Sequence, residues 1–138
     1  MNYQDEKVSA SLQDYLEVIL SLSKEGEGVR VTDIAAELNI AKASVTQALS
    51  VLKKQGLAWQ DRYGPVNLTE EGKKHALSVY KRHQIIRFFL TEILKVEPET
   101  AEKDACSLEH IVSPQTLKKI QDFLDEQGVP YNQHDNDH

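Results

Sequence analysis

Cysteine occurs once in this 138-residue chain, at Cys106, so no disulfide can form within it and the thiol is left for other chemistry. No run of 18 apolar residues is present, and no stretch reads as a signal peptide, so a membrane partner is not expected. The six glycines form no phosphate-cradling loop, and no internal repeat is visible. Together these absences point to a soluble protein kept reduced in a cytoplasm. Positive charge is also in short supply: 16 Lys and Arg stand against 22 Asp and Glu, a net charge of −6. Taken whole, that balance argues against a nucleic-acid binder. What is present, 40% hydrophobic and 28% charged residues, suits one ordinary core or two small lobes.

The charge is unevenly divided. Residues 1–29 carry two Lys/Arg against six Asp/Glu, and residues 84–138 carry five against eleven. Residues 30–83 reverse the sign, with nine Lys/Arg, among them Arg30, Lys42, Arg62 and Arg82, against five acids. A middle segment of that kind suits contact with a polyanion, while the acidic flanks remain available to cations.

Along the chain, Ser9 or Ser11 offers a cap to a helix with Leu12, Tyr15, Leu16, Ile19 and Leu20 on one face, ending before Gly26 and Gly28. Asp14 and Glu17 lie together beside that stripe, either as a solvated acidic face or as a pair of oxygen ligands. Thr32 and Asp33 then read as the cap and first turn of a helix carrying Ile34, Ala35 and Leu38 inward. Asn39 supplies a turn, and a second helix from Ala41 or Lys42 to Gln55 turns Val45, Ala48, Leu49 and Leu52 to the core. This is a helix-turn-helix, and the front of its second helix presents Lys42, Ala43, Ser44, Thr46 and Gln47, short or hydrogen-bonding side chains suited to a major groove. Two brief strand-like runs around Tyr63-Gly64-Pro65 form a wing, with Arg62 near its tip placed for the phosphate backbone. Arg30 and Thr32, at the entry to the first helix of the pair, complete the candidate DNA contacts.

Thr69 caps the next helix, and no breaker after Gly72 interrupts it before about Leu94. From Ile85 to Leu94 it is apolar nearly all round, more surface than so small a chain can cover, so a homodimer is expected. Pro98 starts a helix bearing Cys106, Glu109 and His110, and Ser113-Pro114 starts a last one. The offsets i, i+3 and i+4 bring thiol, carboxylate and imidazole onto one helix face, which reads either as a semi-buried cysteine beside an exposed Glu-His pair or as a donor set fit for one divalent transition metal.

In their order these parts resemble the DtxR/MntR family of metal-dependent transcriptional repressors over about residues 9–126. The resemblance implies that Asp14 and Glu17, in Asp14-Tyr15-Leu16-Glu17, match the first-helix ligands of manganese-type members. It further implies His83 as a long-helix ligand, and Cys106, Glu109 and His110 as the cluster on the following helix. The pattern is mixed: Cys106 follows the iron type and Asp14 the manganese type. Arg87 and Glu102 stand where iron-type members place a Glu and a His of an ancillary site. Mn²⁺ or Fe²⁺ is the implied cofactor, with Zn²⁺ or Co²⁺ able to bind in vitro.

The expected fold is mainly α: a winged helix-turn-helix domain with a small β-hairpin wing over residues 9–73, then an all-helical metal-binding and dimerisation domain over 74–126. Residues 127–138 are expected to be a disordered tail, and the SH3-like domain of longer iron-type proteins is not expected. The expected function is a non-enzymatic repressor whose metal-loaded homodimer binds a palindromic operator in double-stranded DNA and shuts off manganese or iron uptake. Two alternatives are a metal-independent winged-helix sensor of an organic ligand and a metal-dependent hydrolase using Glu109 or Glu17 as general base.

Overall fold

The computed structural model describes residues 10–23 and 27–131, which divide into two compact units, one up to Leu77 and the other from Ser78. Among the described residues no helix is long and apolar enough to cross a membrane.

In the first unit α1 (Ala10–Leu22) buries Tyr15, Leu16 and Ile19, the expected i, i+1 and i+4 stripe, and leaves Asp14 and Glu17 half-buried beside it. Of the two candidate caps, Ser9 lies outside the described residues. Helix α2 (Val31–Leu38) starts one residue earlier than the Thr32 cap implies: Arg30, in extended conformation, is the N-cap and makes no side-chain capping bond. Thr32 is therefore an exposed residue inside the helix. Asn39 ends α2 in the left-handed region at φ 56°, which its short polar side chain tolerates. Helix α3 (Lys42–Lys54) follows, and Val45, Leu49 and Leu52 are fully buried on its inner side.

Strands β1 (Ala58–Gln60) and β2 (Val66–Leu68) pair antiparallel, with Trp59 opposite Asn67. Val29 joins this hairpin through two 2.8 Å backbone hydrogen bonds with Val66. The sheet's inner residues Ala58, Val66 and Leu68 meet Leu16, Ile19, Ile34 and the α3 leucines in one core. Thr69 closes the unit as expected: its hydroxyl oxygen accepts from Gly72 N at 3.0 Å and its proton goes to the Gly56 carbonyl at 2.6 Å.

Gly72 is there for space. A Cβ at this position would lie 1.9 Å from the Leu57 carbonyl oxygen, and the three nearest atoms are all Leu57 backbone, which cannot swing aside as a flexible side chain could. Gly72→Ala is expected to destabilise the protein by about 3 kcal/mol, the upper end of ordinary overpacking. A urea or thermal unfolding midpoint within error of wild type would show that the helix begun by Thr69 can shift away from Leu57 at little cost.

Helix α4 (Glu70–Phe88) is shorter than the uninterrupted helix to Leu94 expected from the sequence, because Phe89–Ile93 continue as a π-helical turn. Leu94 N reaches back to Phe89 O at 3.2 Å, Phe89 and Ile93 pack against the core of Ile85, Leu124 and Tyr131, and the Phe89 ring meets that of Phe123 edge-on at 6.3 Å. Helices α5 (Pro98–Leu108) and α6 (Pro114–Gln127) each begin with proline, and the Ser113 hydroxyl caps α6 by accepting from Thr116 N at 3.2 Å.

Ile85, Leu124 and Tyr131 form the centre of the second unit. The disordered tail expected from residue 127 is therefore corrected for its first residues. Gly128 turns the chain at φ 72°, Val129 N bonds Leu124 O, and Tyr131 is 4% exposed with its hydroxyl donating to Asp125 at 2.9 Å. The remainder of that expectation, 132–138, lies outside the described residues.

Candidate metal centre and nucleic-acid face

In the second unit α4, α5 and the turn after α5 carry five potential donors, His83, Glu102, Cys106, Glu109 and His110. Glu109 and His110 do not lie on α5 itself, as the helical spacing supposed: the helix ends at Leu108 and Glu109 is its C-cap, still in right-handed conformation at φ −59°, ψ −24°. Arg82, counted by sequence among the surface cations of the middle segment, is instead buried. Its Nε donates to the Glu109 carbonyl at 3.1 Å and so pins this turn to α4.

Glu109 is 1% exposed. Its Oε1 sits 2.6 Å from His83 Nδ1, while Oε2 is a buried oxygen with no hydrogen-bond partner among the described residues, 3.5 Å from His110 Nε2. An orphaned carboxylate oxygen in a dry place is costly unless something positive meets it. Two donors bound to one ion at roughly 2.0–2.1 Å stand about 3.3 Å apart in a tetrahedral arrangement, close to the separation of Glu109 Oε2 and His110 Nε2. The donor set therefore fits a divalent metal.

The other nitrogen of His83 faces a second group, since Nε2 lies 3.0 Å from Glu102 Oε2. Burial alone pushes the His83 pKa down, but the hydrogen bond and charge of Glu109, followed by those of Glu102, outweigh it and hold the group above its ordinary value. Cys106 Sγ, on the exposed side of α5, is 3.8 Å from the same Glu102 oxygen. Sequence reading set Glu102 aside as a departure from an ancillary site. The available signal was its i, i+4 offset from Cys106, which places both on one helical face.

Asp14 and Glu17 belong to the first unit, where both are half-buried rather than a fully solvated acidic face. The candidate DNA contacts also lie there. Lys42, Ala43, Ser44, Thr46 and Gln47 are all exposed on α3, while Val45 between them is fully buried, and Arg30 and Thr32 are exposed at the start of α2.

Exposed Arg62 lies 5.5 Å from the ring centroid of Tyr63, which is 94% exposed at the wing tip with φ 60°. Lys53 donates to Gln60 at 2.6 Å, and Gln60 donates to the Gly64 carbonyl at 2.7 Å. These two bonds brace the wing against α3.

Comparison with known proteins agrees with this division. The description "iron dependent repressor, N-terminal DNA binding domain" matches residues 7–66, and "iron dependent repressor, metal binding and dimerisation domain" matches residues 69–134. The chain is 38% identical over 118 residues to the transcriptional regulator MntR of Escherichia coli O157:H7, covering 86% of this chain and 76% of that one. With the HTH-type transcriptional regulator MntR of Bacillus subtilis the identity is 32% over 114 residues, covering 83% and 80%.

Among solved structures, the manganese regulator SloR superposes with a TM-score of 0.74 at 28% identity, over 86% of this chain and 54% of that one. A manganese-dependent transcriptional repressor in complex with manganese superposes with a TM-score of 0.73 at 28% identity, over 86% and 53%. The present chain thus spans about half the length of those solved chains. Two matched domains in tandem, over most of its length, make this chain a member of the iron-dependent repressor (DtxR/MntR) family of metal-dependent transcriptional regulators.

Proposed function

We propose that the protein is a divalent-metal-dependent repressor whose metal-loaded homodimer binds a palindromic operator and lowers expression of manganese or iron uptake genes. The observation that carries the reading is the buried, unpartnered Glu109 Oε2 beside His110 Nε2. That pair needs a cation, and it sits in a chain whose other half is a helix-turn-helix with a free polar face.

Asp14, Glu17, His83, Cys106, Glu109 and His110 are the proposed donors. A bound divalent ion supplies the positive charge that offsets the mutual repulsion of three carboxylates and a thiolate. Asp14 and Glu17 precede the helix-turn-helix in the chain and the other donors follow it. Ligands shared between the two units would therefore couple metal occupancy to the spacing of the recognition helices in a dimer. Half-sites one turn of DNA apart require that spacing to be about 34–36 Å. Lys42, Ala43, Ser44, Thr46 and Gln47 then read base edges, and Arg30, Thr32 and Arg62 hold the backbone.

The solved structures named for manganese support Mn²⁺ as one candidate ion, and the thiol of Cys106 supports Fe²⁺, with Zn²⁺ and Co²⁺ as further ions for in-vitro work. Ile111 and Leu94, 75% and 55% exposed in the second unit, together with exposed Phe123, are apolar surface suited to a second copy of the chain. The protein should therefore sediment as a dimer with or without metal.

The deciding experiment is a gel shift on the DNA upstream of the protein's own gene, first with chelator and then with Mn²⁺, Fe²⁺ or Zn²⁺ restored. Binding should vanish with chelator and return with metal. Binding indifferent to chelator would favour a sensor of an organic ligand.

A further inference from the structure

Arg82 stands immediately before His83 on α4 and is only 8% exposed, which makes it a poor partner for the DNA phosphates that the charge of the middle segment suggested. We propose that Arg82 is a positioning residue of the metal centre: its guanidinium clamps the peptide between Glu109 and His110 and so holds those two donors in one orientation. This rests on the metal-regulator reading above and adds to it a residue that is not itself a ligand.

The clamp replaces a bond that the backbone does not make. Helix α5 ends at Leu108, and beyond it Ile111 N and Val112 N both return to the Leu108 carbonyl at 3.0 Å. Ser113, the next residue, is extended at φ −69°, ψ 156° as the cap of α6. Among the described residues no backbone N–H therefore reaches the Glu109 carbonyl, and Arg82 Nε donates to it at 3.1 Å. A cation at the last carbonyls of a helix is favoured by the helix dipole as well as by the bond itself.

That carbonyl belongs to the peptide unit that joins the two donors. On the other side of the same unit His110 N reaches Ser107 O only at 3.4 Å, so the Arg82 bond is the tighter of the two that fix its plane. A turn of the plane changes ψ at Glu109 and φ at His110, and with them the 3.5 Å separation of Glu109 Oε2 and His110 Nε2.

Arg82 and His83 are successive residues of α4, so their side chains leave the helix about 100° apart. They grip Glu109 at two points, its backbone carbonyl and, at 2.6 Å, its carboxylate Oε1. Holding donors in place before an ion arrives is what an outer partner contributes to affinity. The charge of the guanidinium acts the other way, since it repels an incoming divalent ion. Positioning and charge therefore predict opposite signs when Arg82 is removed.

Calorimetric titration of the full-length protein with Co²⁺ and with Mn²⁺, well below the metal-free melting temperature of each variant, separates them. Arg82→Met keeps an apolar stem and loses donor and charge together. It should bind metal about 10–100-fold more weakly, the cost of losing an outer partner, and its Co²⁺ visible bands should shift as the angle between Glu109 and His110 relaxes. Arg82→Lys keeps a donor and should recover most of the affinity and the wild-type bands. Arg82→Gln, neutral and shorter, should fall between them, and stands in if the Met variant does not fold. At saturating metal each variant should bind operator DNA with the wild-type salt slope.

Metal affinity at or above wild type in the folded Met or Gln variant would overturn the proposal and make Arg82 a stand-in cation among the carboxylates. Unshifted cobalt bands, or no recovery in Arg82→Lys, would overturn it as well. So would a salt slope lowered by about 1 with metal affinity unchanged, the mark of a phosphate contact. In each of those cases metal-dependent operator binding would survive in wild type. A wild-type chain that takes no cobalt and binds its operator regardless of metal would sink the function itself.

Discussion

Glu109→Gln is expected to abolish the response to metal while leaving the metal-free protein folded. The substitution keeps the volume of a fully buried side chain and keeps an amide within reach of His83 Nδ1, so packing and the 2.6 Å contact can both persist. It also removes the charge from an oxygen that has no hydrogen-bond partner, which offsets part of any loss. Loss of the charged pair with His83 should lower the metal-free stability by no more than about 3 kcal/mol, the upper size of a hydrogen bond to a charged group.

With metal present the two proteins should part company. An ion at 100 times its dissociation constant stabilises the folded state by about 2.7 kcal/mol. The variant should forfeit that gain, along with metal-dependent DNA binding, because loss of a direct ligand exceeds the roughly 10–100-fold effect of an outer one. Thermal melting with and without Mn²⁺ or Co²⁺ reads both halves of the expectation. A Gln variant that melts far below wild type without metal, yet keeps the wild-type metal shift, would make Glu109 a structural brace for His83 and the Arg82-pinned turn.

How far the sequence could be read depends on whether the signal was local. Val45, Leu49 and Leu52 recur at helical spacing, and Asn39 marks the turn before them, so the helix-turn-helix is legible from single-chain periodicity. Thr69 and Ser113 cap their helices as their residue types require. Thr32 does not, because extended Arg30 already lets α2 begin at Val31.

Nothing within Phe89–Ile93 announces the π-helical turn, whose Phe89 and Ile93 pack on a core completed by Leu124 and Tyr131 far along the chain. The turn after α6 carries a local signal of the ordinary kind. Gly128 in left-handed conformation followed by Val129, whose N–H returns to Leu124 O, is a helix stop with its apolar contact, and Tyr131 continues it.

At the site, the Cys106, Glu109 and His110 spacing pointed to the right neighbourhood although α5 ends before the last two. The roles of Glu102 and Arg82 were invisible for a different reason. Each depends on which face of α4 meets α5, and that is decided by the packing around Ile85 and Leu124 rather than by either helix alone.

On the DNA side, Gln47→Ala should lower discrimination between operator variants, whereas Arg62→Ala should weaken binding to every sequence alike. Gln47 is exposed on α3 between fully buried Val45 and Leu49, so its amide can present donor and acceptor together to a base edge. A bidentate contact of that kind discriminates by about 1–3 kcal/mol, so the variant should bind its best operator up to roughly 100-fold more weakly and a mismatched one almost unchanged.

Arg62 is exposed beside Tyr63 on a wing braced through Gln60, a position from which a cation can reach phosphate. Its loss should lower the slope of log affinity against log salt by about 1 with no change in sequence ranking. Fluorescence anisotropy on a matched and a mismatched operator, each across a salt series in saturating metal, measures all four quantities. Equal losses on both DNAs from both variants would mean that α3 holds backbone as the wing does. Recognition would then have to come from Ala43, Ser44 and Thr46, or from the deformability of the operator itself.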